Sequence, residues 1–464
     1  MPFRFQKHTL IYLALVTATT VGCKKFVATD IPNNQIVAAT VFSDDVSANS
    51  AVAGLYSYMY QLNNASSTFG GLHTTIYTGM SADELNRPSL PTDPFLINNI
   101  PPTESAISSM WLSCYTIIYN ANAILEGLDA SGNITIAMKR QLRGEALFIR
   151  AFVHFYLVNL FGDVPLVLTT DVRQTATIGR TPVASVYERI VTDLLESKSL
   201  LSEGYSNSNN ERVRVNRFAA SAFLARVYLY TGAWQSAIEA ADAVIDNSGL
   251  YELSADLNTV FYKNSKEAVW QFYSFGGDGH TTVGAALVPA SATSIPNYTM
   301  TDYLMNTFES GDQRATTWVA TSTSNSQVYY RPYKYRQRVA TTGATGEYDM
   351  VLRLAEQYLI RAEAKAQLND IAGAQEDLNK IRNRAGLLNT SASDKDALLA
   401  AIEKERQVEL FVEWGHRWLD LKRTRRIDAI LSPIKSGWQS ARQLFPLPAV
   451  ELSKNPALEQ NAGY

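Results

Sequence analysis

The sequence predicts a mainly α-helical fold, a tetratricopeptide-like scaffold of paired helices interrupted by a long, irregular, loop-rich insert. Three observations carry this. Residues 349–424 hold consecutive segments whose apolar residues recur at helical spacing. Residues 218–246 have the same layout. Between these blocks, from 251 to 348, the helical period fades and Gly, Thr, Ser, Asn and Pro take over.

In the C-terminal block, Val351, Ala355, Tyr358, Ala362 and Ala366 fall on one helical face. Asn369–Asp370 supplies a turn and an N-cap. A second helix follows through Ala374, Leu378, Ile381 and Ala385, with Gly386 placed to end it in the left-handed conformation. Ser393 with Asp396 reads as a capping box for a third helix running through Leu398 and Ile402 and on through residues 405–423. Small Ala residues facing larger ones let helix axes approach closely, which is how such pairs pack. Aligning Ala237 with Ala374 sets Ala225 opposite Ala362, Ala241 opposite Leu378 and Val244 opposite Ile381, a second copy of the pattern.

The N-terminus reads as a signal peptide over residues 1–22, with Arg4, Lys7 and His8 before a short apolar run from Leu10 to Val21. Gly22–Cys23 forms a lipoprotein-type cleavage site, making Cys23 the acylated first residue of the mature chain, and residues 23–44 a tether. The other cysteine, Cys114, lies in a helical run and offers Cys23 no disulfide role. A single domain then spans 45–464, with helical scaffold at 105–250 and 349–424.

Helical text begins at Asp45 and resumes at Ser105. The stripe Leu142, Ala146, Ile149, Phe152, Tyr156 and Leu160 is stopped by Gly162–Asp163 and Pro165. Thr181–Pro182 reads as an N-cap with Pro at the first helical position. Residues 69–102 lack steady periodicity and exceed ordinary loop length, the mark of a functional segment. In the insert, residues 268–275 alternate like a strand.

With a formal net charge of −3 and no basic stripe, nucleic-acid binding has no footprint. There is no nucleophile elbow, Gly-rich phosphate loop or paired-cysteine zinc motif, and 5 His in 464 residues leave little for metal chemistry. His416 and Asp420, at i and i+4, read better as part of a charged helix in which Glu413 pairs with Arg417. A glycoside hydrolase needs two carboxylates facing across a cleft; adjacent Asp83 and Glu84 point apart on extended backbone. Glu403, Glu405 and Glu409 share a helix rich in Arg and Lys, which reads as a charge network.

The wording of several stretches resembles the SusD/RagB family: RLAEQYLIRAEAKAQLND (353–370), LNKIRNRAGL (378–387) and ERQVELFVEWGHRWLDLKR (405–423). So do MWLSCYTIIYNANAILEGL (110–128), RGEALFIRAFVHFYLVNLFGDVPLV (143–167), TDYLMNTFESGDQR (301–314) and the closing residues 444–464. The resemblance implies a non-catalytic lipoprotein of the outer membrane, facing the cell exterior. It implies capture of a glycan or oligosaccharide for a SusC-like TonB-dependent transporter, with peptide as the alternative cargo. A tetratricopeptide-type adaptor and a secreted hydrolase are the remaining readings.

Sugar binding wants exposed aromatic rings beside Asn, Asp, Arg or Gln on loops held by a rigid scaffold. The candidates are Tyr77, Asp83, Asn86, Arg87 and Phe95 from residues 69–102. From the insert they are Tyr273, Trp318, Tyr329 and Tyr330.

Overall fold

The structure is a computed structural model that describes residues 38–64, 69–273, 279–343 and 345–464. The predicted signal peptide, Cys23 and most of the tether lie outside the described residues. Helix α1 (Asp45–Asn64) precedes α2 (Gly71–Ser81), α3 (Ser105–Ala130), α4 (Ile136–Phe161) and α5 (Val183–Leu200). The predicted pair is α6 (Arg217–Thr231) and α7 (Trp234–Ile245), and the C-terminal block is α8 (Leu354–Gln367), α9 (Ile371–Arg384), α10 (Lys395–Glu409) and α11 (His416–Arg423).

From α3 to α10 each helix packs on the next in chain order, forming a solenoid. The stacking does not notice the insert: α7 packs directly on α8 although more than a hundred residues separate them. The aligned positions of the two repeat copies, Ala225, Ala237, Ala241, Val244, Ala362, Ala374, Leu378 and Ile381, are all buried. Small-to-large facing surfaces therefore close both pairs. Helix α4 is apolar and long enough to cross a membrane, yet it is a core helix, gripped by α3 and α5.

Several predicted boundaries hold. Asp370 accepts the Gly373 N–H at 3.0 Å. Gly386, at φ 79°, closes α9 in a Schellman arrangement, with Leu387 N–H on Arg382 O (2.9 Å) and Gly386 N–H on Asn383 O (3.0 Å). Others move. Asp394, not Ser393, caps α10 by accepting the Ala397 N–H at 2.9 Å. Thr181 does not cap α5; it bridges to Val164, and Asp163 accepts the Val183 N–H at 2.9 Å instead. Residues 69–102 open with helix α2, whose Thr- and Gly-rich sequence has poor helix propensity and whose helicity is imposed by burial of Thr75, Ile76, Thr78 and Met80.

The main correction concerns the third helix of the C-terminal block, which is broken between α10 and α11. Val412 (φ 52°), Trp414 (φ 44°) and Gly415 (φ 76°) turn the chain through the left-handed region. That is strained for a β-branched residue. The strain is held by α2 and its exit: Glu84 Oε1 accepts the Val412 N–H (3.1 Å) and Thr75 Oγ1 accepts the Trp414 N–H (2.8 Å). A Cβ on Gly415 would sit 2.7 Å from Thr78 Oγ1, so both close approach and φ require glycine. The turn drives the Trp414 ring into an aromatic cluster with Phe152, Tyr156 and Phe272, each at 5.4 Å between centroids.

Short antiparallel ladders, short helices and loops make up the insert, and one ladder reaches outside it to residues 69–102. Strand β1 (Leu85–Asn86) pairs with β3 (Thr299–Met300), β2 (Ala268–Phe272) with β6 (Asp349–Arg353), and β4 (Val319–Ser324) with β5 (Gln327–Pro332). The β2–β6 ladder closes the base of the excursion, pairing Ala268 with Arg353.

Buried charge locks this base to the solenoid. Arg353 donates to Glu267 (3.0 Å), Glu409 (2.6 Å) and Glu413 (2.8 Å). Glu409 also meets Arg314 at 2.9 Å and Arg384, while Lys334 reaches Glu413 at 2.5 Å. Glu413 therefore serves Arg353 and Lys334, not Arg417 as the helical spacing suggests. Burial alone would raise the Glu409 carboxyl, but the guanidinium groups of Arg384, Arg353 and Arg314 hold it well below the usual carboxylate range. Replacing Arg353 by Met would leave three carboxylates buried around an apolar side chain. We expect Arg353→Met to lose about 3–5 kcal/mol in urea unfolding at neutral pH; a loss below about 1 kcal/mol would show the network to be dispensable.

Candidate functional site

The β1–β3 ladder is where the two predicted loop regions meet. Leu85 pairs with Met300 and Asn86 with Thr299, and the Thr301 N–H donates to Glu84 O at 3.0 Å. Strand β5 lies alongside β3, so the β4–β5 hairpin joins the same surface. Its two-residue turn, Asn325–Ser326, has positive φ at both positions, as the right-handed strand twist favours. Arg87 lies over the Tyr298 ring at 5.9 Å and pairs with Asp93 at 2.6 Å. Asn86 and Arg87 thus lie near the hairpin, while Tyr329 and Tyr330, adjacent on β5, point to its opposite faces.

Beside this ladder is a pocket of about 460 Å³, bounded also by the segment from Ile434 to Arg442. Asn86, Asn99, Tyr303, Lys435 and Arg442 bring polar groups to it, and Leu85, Leu96 and Ile97 an apolar floor. Tyr303 is the exposed aromatic ring of the pocket, with 53% of its surface free. Half-buried Lys435 donates to Leu96 O at 2.9 Å and to Met80 O, and burial lowers its pKa to about 7. Such a cleft, apolar at the base with a few convergent polar groups, is the usual form of a small-ligand site.

Other predicted site residues are structural. Trp318 is 1% exposed, its Nε1–H donating to Leu257 O at 2.9 Å, so it offers no face to a ligand. Asp83 is buried in a bidentate pair with Arg417 at 2.7 and 2.8 Å, which leaves it at the pocket wall with its oxygens engaged. Phe95 is buried beneath Tyr77, the rings stacked at 4.1 Å, so this pair forms a floor beneath the surface. Tyr273, just past β2, is partly exposed and packs against Tyr60 and Tyr348. Tyr329 donates to Gln327 Oε1 at 2.9 Å, and Tyr330 is exposed.

Sequence reasoning missed Tyr303, Asn99, Lys435 and Arg442. Tyr303 sits in TDYLMNTFESGDQR, a stretch singled out for its wording but not for chemistry. The segment around Lys435 and Arg442 is far from both loops in sequence, and only the tertiary fold brings it there. His416 is buried and Asp420 is engaged by Arg406 (2.7 Å) and Arg423 (2.7 Å), so the helix spacing of these two residues is a packing feature. Glu405 and Glu409 are buried in the ion network, whereas Glu403 is half-buried at its edge.

Glu84 supports the wall of the pocket and is pushed up to about 8, first by burial and then by adjacent Asp83, despite the Val412 N–H and the charges of Arg417 and Lys334. Because the folded value lies above the usual 4.5, the stabilisation of the protonated form is complete below about pH 4.5 and is lost as the pH rises through 8. Glu84→Gln keeps the acceptor for Val412 and removes the ionisation. The melting temperature of this variant, followed from pH 5 to 8.5, should gain steadily on the native chain; a constant difference would refute the assignment.

Residues 29–229 match the family described as starch-binding associating with outer membrane, and residues 259–464 match the SusD family. The chain is 30% identical to SusD-like protein P2 of Formosa agariphila, covering 77% of this chain and 81% of the relative. SusD-like protein P25 of the same organism is 24% identical, over 99% of both chains. A solved SusD superfamily protein from Bacteroides vulgatus superposes with a TM-score of 0.80 at 22% identity, covering 91% of this chain and all of the other. A laminarin-binding SusD-like protein superposes at 0.77 and 24% identity, over 91% of this chain and 100% of that one. The continuous solenoid, the spliced insert and the sequence matches agree: the chain belongs to the SusD family of outer-membrane-associated, non-catalytic binding proteins.

Proposed function

We propose that this chain captures a glycan at the outer membrane and passes it to a TonB-dependent transporter of the SusC type, anchored through acylated Cys23 and facing the cell exterior. The observation that carries the ligand class is the pocket beside the β1–β3 ladder. A free tyrosine ring stands there next to two asparagines and an arginine on an apolar floor. A sugar has flat C–H faces to lay on such a ring and hydroxyls to meet the amides and guanidinium. The name of a laminarin-binding structural relative and the starch-binding description of a matched family favour the same class. Hydrogen bonds and one stacked ring give reversible capture, which suits a protein that must release its cargo.

The mature chain, made from Lys24 without its anchor, should be retarded by at least one polysaccharide in affinity electrophoresis. Tyr303→Ala and Asn86→Ala should each weaken that retardation by roughly tenfold or more, the equivalent of about 1.4 kcal/mol. Binding confined to a peptide pool would replace the glycan by a peptide as cargo. Mild detergent extraction of the anchored protein should bring a large barrel with it, and extraction of the chain alone would count against the transporter role.

A further inference from the structure

The charge of the candidate pocket is one-sided. Among the described residues that line it, Asp83 is the one carboxylate, and both its oxygens accept from Arg417, so that pair is neutral as a unit. Glu84, beside it, is pushed up to about 8 and is therefore mostly uncharged at neutral pH. Lys435 and Arg442 line the same cavity of about 460 Å³, and among the described residues neither is in an ion pair. The walls thus present two cations and no available negative charge.

Both cations are held in place, and both keep part of their surface in solvent. Lys435 gives its ammonium N–H groups to Met80 O and, at 2.9 Å, to Leu96 O, which pins the segment from Ile434 to Arg442 against residues 69–102. Arg442 donates through Nη1 to Gly437 O at 3.0 Å, and its Nε and Nη2 have no partner among the described residues. Asn86 and Asn99 add amide donors to the same cavity. Burial lowers the Lys435 pKa to about 7, with Asp83 acting in the other direction, and an anion beside the ammonium would restore its full charge.

A neutral sugar seated here would strip water from two cations and bring them no negative charge, a cost that its hydroxyls offset only in part. An oxyanion reverses the balance, because it accepts charge-assisted hydrogen bonds from the ammonium and from the planar guanidinium fork. We infer that the cargo carries a uronate carboxylate or a sulfate ester, received in the pocket by Lys435 and Arg442. The inference rests on the glycan reading above and narrows it. Tyr303 and the two asparagines then recognise the sugar, and the segment from Ile434 to Arg442 recognises its charge.

The test titrates the mature chain in a calorimeter with alginate for carboxylate, carrageenan for sulfate and laminarin as a neutral glycan. One acidic polymer should bind, weaken as sodium chloride is raised, and lose about tenfold or more in affinity in Arg442→Gln, the size of a charge-assisted hydrogen bond. Lys435→Gln should do the same, but Lys435 also ties Met80 and Leu96 in place, so Arg442→Gln is the deciding variant. Arg425→Gln removes the same charge from an exposed position outside the pocket and should leave the affinity within about twofold. Acidic-polymer binding that ignores Arg442→Gln, or that Arg425→Gln weakens equally, would reduce the effect to diffuse attraction and overturn the proposal. Laminarin binding indifferent to Arg442→Gln, with no acidic polymer bound, would overturn it and leave the glycan reading standing. Sodium glucuronate and sodium sulfate, against sodium chloride at equal ionic strength, serve as small probes in thermal shift. A melting temperature raised by one of them, unchanged in Arg442→Gln, with no polymer bound, would keep the anion site and sink the glycan reading.

Discussion

Glu409 and Arg353 are the point on which the fold depends. A carboxylate at the end of a solenoid helix is surrounded by guanidinium groups from the insert's last strand, from a short helix within the insert and from the preceding solenoid helix. None of these charges could stay buried alone. Together they are matched, and their geometry forces the insert into one position against the helices. The strained turn after Leu410 belongs to the same arrangement. It carries Glu413 to the network and Trp414 into the aromatic core, and it accepts left-handed backbone at a valine and a tryptophan in return. Strain of that kind persists only where surrounding contacts over-determine it. Here the backbone hydrogen bonds donated to Thr75 and Glu84 and the ring contacts of Trp414 do so.

Much of the scaffold was legible in the sequence because it rests on local periodicity. The alternation of Ala with larger residues through 218–246 and 355–385 specifies the helix pairs, and both stack as that pattern implies. Gly386 and Asp370 end and begin helices for reasons of backbone conformation and capping that a sequence displays. The break in residues 405–423 was hidden because its cause is tertiary. A helical stripe runs through it, and only the partners across the fold, Glu84, Thr75, Lys334 and Arg353, reward leaving the helix. Helix α2 was hidden for the converse reason, having weak propensity and strong burial.

The regions that meet at the candidate pocket were legible in the sequence, and the residues that line it less so. Aromatic and polar composition pointed to residues 69–102 and to the insert, and the β1–β3 ladder does join them. Composition could not say which rings are spent on the core. Trp318 is a large apolar side chain that the insert, with little periodic structure, needs to hold itself together, and Phe95 serves residues 69–102 in the same way, whereas Tyr303 and Tyr330 remain exposed. An irregular segment must find its own core among its aromatics, so the most hydrophobic of them are the poorest candidates for ligand contact.

Since α7 packs on α8 as if nothing lay between them, the excursion from residue 246 to 353 leaves and rejoins the scaffold at one place, clasped by the β2–β6 ladder. It is a cassette. Its outer loops can vary in length and composition without shifting the register of the solenoid, which gives a family of binding proteins freedom to change ligand on a constant frame. The freedom stops at the base. A graft of this cassette onto a relative would carry Glu267, Arg314, Lys334 and Arg353 with it, and would seat only on a recipient that presents the matching acids and arginine of α9, α10 and the turn beyond.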